Sequence, residues 1–355
     1  MKTQIQNPAN TQINTSMARR SFLQLSSGLA SVVPIAALAR RHLPISKLRM
    51  GKAPANTEIP QHIGVFDTTA VPIKPFKVYE ATLPAVDLKP VKQVDYYSSN
   101  DAIYIAEDVL FQSWNFSGTV PGPVLVLNEG DEVQFSLTNK SVLPHSIDFH
   151  AALTPPSKNY ISIMPGDTHK FNWKANYPGG FMYHCGTPFV LSHMCMGMYG
   201  ATIVKPKNGL RSADREFVLV QSEFYVSSPI NGIGEADVSK AMSGNPDYVT
   251  FNGYANQYLD APLTAKVGET IRIWVINAGP SHFSAFHVIG TIFEAAYQDG
   301  NPANKMVGMQ TVTVYPGGGM MVELRIPEAG NYPFVTHAFN DASKGAMGML
   351  VATES

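Results

Sequence analysis

The chain has only two cysteines, Cys185 and Cys195, in 355 residues. A disulfide framework is therefore excluded, and one bridge between these two is the most that such chemistry allows. There are ten histidines but no His-x-His pair, so a cluster built from repeated pairs of that kind is excluded. Charge of either sign is scarce: 26 Lys and Arg against 27 Asp and Glu give a net charge of −1, with 15% of residues charged. Nothing in that balance points to nucleic acid or to an anionic membrane. The apolar run near the N-terminus is shorter than the ~20 residues needed to span a bilayer. What remains is a chain that is 45% hydrophobic and rich in Gly (28) and Pro (26), a composition of strands, turns and a large core.

Into that background falls one dense stretch, Tyr183-His184-Cys185-Gly186-Thr187-Pro188 through His193-Met194-Cys195-Met196-Gly197-Met198. Cys-x7-His-x4-Met supplies a thiolate, an imidazole and a thioether. A trigonal His2Cys set with a weak axial Met is the ligand set of a blue-copper site. The second imidazole is expected from an earlier strand, and His145 is the candidate in His145-Ser146-Ile147-Asp148-Phe149-His150. His184 and Cys185 are adjacent, and successive strand side chains point to opposite faces. If Cys185 holds one metal, His184 is aimed at another. The competing readings are a Cys185–Cys195 disulfide and a Met-rich core segment.

Along the chain, residues 1–16 are polar and read as disordered. Arg19-Arg20-Ser21-Phe22-Leu23, an apolar run to Ala39 and the small residues Ala37-Leu38-Ala39 resemble a Tat export signal with its cleavage site, within residues 1–39. Residues 40–76 form a Pro-rich arm. Residues 77–206 contain short strand patterns at 91–97, 102–106 and 132–139, separated by turn residues, which predict a β-sandwich. Residues 207–355 repeat the plan. Phe251-Asn252-Gly253 echoes Phe116-Ser117-Gly118, Pro316-Gly317 echoes Pro165-Gly166, and Thr336-His337-Ala338 stands where Tyr183-His184-Cys185 stands in the first copy. Such a repeat predicts two copies of one fold. The second copy lacks the thiolate and should hold no blue copper.

Together with Phe286-His287-Val288-Ile289-Gly290, these motifs resemble the copper-containing nitrite reductases over roughly residues 76 to 353. The resemblance implies an all-β chain of two tandem cupredoxin (Greek-key β-sandwich) domains. It implies a type 1 copper at His145, Cys185, His193 and Met198, and a type 2 copper at His150, His184 and His337, one of each per subunit. His337 would come from a neighbouring subunit of a homotrimer. Asp148 and His287 would flank the open position of the type 2 copper, with Ile289 shaping the substrate pocket. The implied reaction is one-electron reduction of nitrite to nitric oxide in the periplasm. Electrons would arrive from a small cupredoxin or cytochrome c and pass through the Cys185–His184 link. The residues support these roles, since three neutral imidazoles leave an open position on a metal and nitrite reduction consumes two protons. Cys195 has no assigned role, His282 is a loop rival to His287, and the 153–160 loop is expected near the second metal. An oxygen-reducing multicopper oxidase is disfavoured by the missing His-x-His pairs. The alternatives are an electron carrier with blue copper only, which would leave His150, His184 and His337 unexplained, and a related two-domain copper oxidase acting on another small molecule.

Overall fold

A computed structural model describes residues 71–354, which lie within one compact unit. The expected export signal and most of the arm fall outside those residues.

The first half builds eight strands in chain order: β1 (Val91–Ala106), β2 (Val109–Phe116), β3 (Leu125–Asn128), β4 (Glu132–Asn139), β5 (Asp148–Phe149), β6 (Thr168–Lys174), β7 (Gly179–His184) and β8 (Tyr199–Lys205). The expected strands at 91–97 and 102–106 are one continuous strand, whose first part (91–98) pairs parallel with β4 and whose second part (98–106) pairs antiparallel with β2. β4 alternates exposed and buried positions at its start, as a strand with one face on the core should. One sheet runs β2-β1-β4-β6 and the other β3-β8-β7-β5. Their inner faces close over Phe116, Phe135, Phe149, Trp173 and Tyr183. Each such side chain contributes about 1.5–3 kcal/mol by leaving water.

The second half repeats this. Its strands are β9 (Arg215–Phe224), β10 (Ile233–Gly234), β11 (Tyr248–Phe251), β12 (Leu263–Lys266), β13 (Ile271–Gly279), β14 (Ser284–Val288), β15 (Ala295–Gln298), β16 (Lys305–Met306), β17 (Val312–Val314), β18 (Gly319–Leu324), β19 (Gly330–Thr336) and β20 (Met347–Thr353). They form the sheets β11-β9-β13-β18-β15-β16 and β12-β20-β19-β14-β17 around Phe251, Phe286, Phe293 and Phe334. The all-β architecture of two tandem sandwiches is as expected. The repeat extends to backbone dihedrals. Ser117 and Gly118 have φ of 53° and 82°, and Asn252 and Gly253 have 60° and 83°. Both pairs are left-handed turns where Asn and Gly are tolerated and β-branched residues are not.

Two features join the halves. β10 pairs in parallel with β2, so a segment of the second half adds a strand to the first half's sheet. Gly319 at the start of β18 packs on Gly180 at the start of β7, so closely that a Cβ on Gly319 would lie 2.1 Å from the Gly180 carbonyl oxygen. The helices are short: α1 (Pro156–Asn159), α2 (Val190–Cys195), α3 (Val238–Ser243), α4 (Gln257–Asp260) and α5 (Phe339–Ala342). Among the described residues, no helix is long and apolar enough to cross a membrane.

Candidate metal centres

β7 ends at His184, and the next residue turns into the core. Cys185 is completely buried, whereas His184 lies partly open on the other side of the strand end. After Thr187-Pro188 the chain enters α2, which carries His193 inward. His145 comes from the segment before β5, bridged to Ile163. The Nδ1 atoms of His145 and His193 stand 3.2 Å apart, and Cys185 Sγ lies 3.3 Å from His193 Nδ1 and 3.9 Å from His145 Nδ1. Three donor atoms thus converge in the core.

Their surroundings suit a soft metal. His145 Nε2 is engaged by the Ser141 hydroxyl at 2.8 Å, leaving Nδ1 to face the thiol. Burial pushes His145 down to about 3, with His193 beside it adding to the effect, and burial pushes His193 down to about 4. Both rings are therefore neutral and carry a lone pair at neutral pH. Burial pushes the Cys185 thiol up, opposed by N–H donation from Ser146 at 3.4 Å and by Thr187. A bound cation would reverse that burial penalty by stabilising the thiolate. Met198 is fully buried, and its backbone ties Cys185 to His193: its N–H donates to the His193 carbonyl (3.1 Å) and its carbonyl accepts from Cys185 N–H (3.0 Å). Trp114 covers the site, with its ring centroid 4.9 Å from that of His193. Cys185 and Cys195 are both free and buried, so the disulfide alternative does not hold. Cys195 instead packs with Tyr225 and Ala241, and burial pushes its thiol up to about 12.

A second set lies on the outer side of the same strand end. Asp148 pairs with His184 across the β5–β7 ladder, and His150 continues that edge by donating its N–H to the Met182 carbonyl at 3.1 Å. Asp148 and His150 are two residues apart and share a face. Donor atoms of Asp148, His150 and His184 converge. His184 Nδ1 donates to the Cys185 carbonyl at 2.9 Å, which leaves Nε2 as the free lone pair, 4.0 Å from Asp148 Oδ2. His150 is open to the surface along one edge; burial of the rest of its ring, then the neighbouring His184, lowers its pKa. The 153–160 loop does reach this site. Tyr160 donates its hydroxyl to the Phe149 carbonyl at 3.0 Å, and its pKa is pushed up to about 12 by burial and then by the Asp148 charge.

The remaining predicted residues form a separate group on the second sandwich. His287 on β14 and His337 just after β19 have ring centroids 5.2 Å apart, and His287 Nδ1 donates to the Gln310 carbonyl. His337 is exposed, Ile289 is 41% exposed, and neither joins the His150–His184 set within one chain. His282 is not beside His287. It turns inward to Asp341. Ser146, Ser141, Trp114, Thr187 and Tyr160 were missed by sequence reasoning. Only the proximity of Ser146 and Thr187 to ligand positions could have signalled any of them.

Comparison with known proteins agrees with this layout. A family profile described as multicopper oxidase matches residues 99–209. Over 278 residues the chain is 38% identical to a copper-containing nitrite reductase of Neisseria meningitidis serogroup B, covering 75% of this chain and 70% of that one. Among solved structures it is similar to the copper nitrite reductase of Nitrosomonas europaea, with a TM-score of 0.70 and 36% identity over 74% of this chain and 94% of that one. It is also similar to a blue copper oxidase of the same organism, at 28% identity and a TM-score of 0.63, covering 74% and 86%. With a buried His2Cys set, a second imidazole set one peptide away and relatives of this identity over most of their length, the chain belongs to the copper-containing nitrite reductase family.

Proposed function

We propose that this protein reduces nitrite to nitric oxide and water with two coppers per subunit, NO2⁻ + e⁻ + 2 H⁺ → NO + H2O. His145, Cys185, His193 and Met198 would hold the type 1 copper. His150 and His184, with His337 of the partner subunit in a homotrimer, would hold the type 2 copper. Copper, when bound, supplies the one-electron redox step and a Lewis-acidic site for nitrite.

The observation that carries this reading is the back-to-back arrangement at the end of β7. Cys185 belongs to the buried set and His184 to the outer set, so one peptide unit joins them. Through-bond contact of that length is a short path for an electron. Proton delivery would fall to Asp148 of the outer set and to His287 of the separate group on the second sandwich. Asp148 is registered against His184 by the ladder, and His287 has its Nδ1 proton committed to the Gln310 carbonyl, leaving Nε2 to exchange a proton with solvent or substrate. In the proposed assembly Asp148 passes a proton to the departing oxygen, His287 holds the other, and Ile289 shapes the pocket.

Exposed apolar side chains support the assembly. Phe339 packs on His337, Phe283 and Tyr315 pair with each other on the same sandwich, and Leu153, Ile161 and Met164 lie on the loop after His150. Burying them against a second copy of the chain would remove that apolar surface from water. Close in sequence to the buried set, Phe189 and Val142 are 75% and 61% exposed, a surface that suits a small cupredoxin or cytochrome c as electron donor. Periplasmic location, reached by the twin-arginine leader, fits such a donor. An oxygen-reducing oxidase would need His-x-His pairs that the sequence lacks. The test is an anaerobic assay of the copper-loaded protein with nitrite and a reduced donor. Nitric oxide formation is expected, and oxygen consumption in air without nitric oxide from nitrite would overturn the proposal.

A further inference from the structure

We infer that His282 is held as an imidazolium and is the positioning residue for the loop that carries His337. The inference rests on the assignment of His337 as a copper ligand made above.

His282 follows β13 in a turn that runs back towards β14, and every polar group on it is engaged. Its Nδ1 stands 3.0 Å from both carboxylate oxygens of Asp341, and its Nε2 stands 2.9 Å from the Gly244 carbonyl oxygen. A carbonyl oxygen has no proton to give, and the two Asp341 oxygens lie equally close to Nδ1, the geometry of a carboxylate accepting from one N–H. Both ring nitrogens must therefore donate, and only the doubly protonated ring has two N–H groups. A neutral ring would turn a lone pair towards one of the two acceptors. The groups facing the ring are Asp341 from α5, Glu223 from β9 and the Gly244 carbonyl at the end of α3. Glu223 accepts from the backbone N–H groups of Ser281 (2.9 Å) and His282 (2.6 Å) and from the Tyr225 hydroxyl. Lys240 on α3 is paired with Asp247 at 2.9 Å. Burial alone would lower the pKa of His282, but the Gly244 carbonyl, Glu223 and Asp341 together raise it.

Asp341 is 1% exposed and sits four residues after His337, in the single turn of α5. A carboxylate so deeply buried is costly without a partner. Its backbone closes the loop: Asp341 N–H donates to the Ala338 carbonyl at 2.8 Å, and Asp341 C=O accepts from Lys344 (3.1 Å) and Ala346 (3.3 Å). On the other side His337 N–H donates to the Ala285 carbonyl at 2.7 Å. His337 thus hangs between β14 and a helical turn whose buried end is fixed by His282. A four-residue helix has no cooperative stability of its own. With either charge left buried without the other, the Asp341 end of the loop relaxes towards water, and the exposed His337 ring loses its set position.

The test uses the full chain with Cu(II) as probe. His282→Gln and Asp341→Asn are each expected to weaken the second copper about tenfold, the low end for a residue that orients a ligand. Each should broaden the electron paramagnetic resonance signal of that copper and leave the blue absorbance unchanged. The double variant removes both charges together and should recover most of the affinity, which a loss of bulk packing would not do. Amides of residues 338–346 should exchange faster in His282→Gln. In the unmodified protein, ¹⁵N resonances of the His282 ring should show both nitrogens protonated at about pH 7, where an ordinary histidine is mostly neutral. That measurement does not depend on any variant folding. A neutral ring at that pH overturns the inference. So does an unchanged second copper in His282→Gln when His337→Ala loses that copper. If His337→Ala keeps it, the ligand assignment and this inference fall together.

Discussion

Asp148 and His184 are cross-strand partners, with Oδ2 of one 4.0 Å from Nε2 of the other. The backbone ladder, not a side-chain contact, sets that spacing. A side chain at this position is held beside the second metal set even when its charge is removed. Asp148→Asn should therefore retain copper and colour while turnover falls by ~10²–10⁴, the usual contribution of a positioned acid. His287→Ala should behave alike. Nitrite-dependent nitric oxide formation, measured beside copper content, decides it; near-normal turnover in both variants would remove the acid assignment.

Colour should follow one thiol. Cys185→Ser is expected to bleach the protein, because its sulfur is the atom that meets His145 and His193. Cys195→Ser should stay blue, since that side chain packs on Tyr225. Visible spectra of the two variants suffice, and bleaching in Cys195→Ser alone would reverse the ligand assignment.

His337→Ala should lose the second copper and keep the blue one. Light scattering on the parent protein should show a closed oligomer with equivalent interfaces. An active monomer would show that Asp148, His150 and His184 bind the metal unaided.

Copper-free protein should lose stability as pH falls. His145 and His193 are held at about 3 and about 4, against an ordinary value of 6.5. The unfolded chain then binds more protons than the folded one once pH drops below that ordinary value. The stability these two neutral rings allow is present above it and is lost as pH falls towards the two depressed values. Thermal unfolding from neutral pH down to about 4 tests this, the window over which the two proton affinities differ. A melting temperature flat across that range would contradict it.

Much of the candidate site was legible because the residues proposed as metal ligands cluster in sequence when one loop supplies them. Cys185, His193 and Met198 lie within one turn-helix-turn, and His145 with His150 brackets β5. The period-2 pattern of 132–139 and the echoing turns announced the two sandwiches. What could not be read were contacts made by distant chain segments. Nothing near His282 announces Asp341, 59 residues away, and nothing near Gly319 announces Gly180. The division of the ligands into separate groups is likewise a matter of packing. His287 and His337 are far apart along the chain and become neighbours only through the β14–β19 pairing.

Gly319→Ala should be strongly destabilising for its size. The new methyl would meet the Gly180 carbonyl at 2.1 Å, backbone against backbone, with no flexible side chain to yield. Overpacking of this kind costs about 1–3 kcal/mol or more. Calorimetry of the copper-loaded protein should show the loss, and a melting temperature equal to the parent's would mean that the two strands separate easily.

The pairing of β10 with β2 bears on how the chain can be cut or has been assembled. A fragment ending near residue 206 would retain all eight strands of the first sandwich and the whole ligand set proposed for the blue copper. It would nevertheless leave the outer side of β2 at Leu110 and Phe111 without its strand, baring a sheet edge that invites self-association. A minimal blue protein made from this one would need the 225–237 segment grafted back to cover that edge.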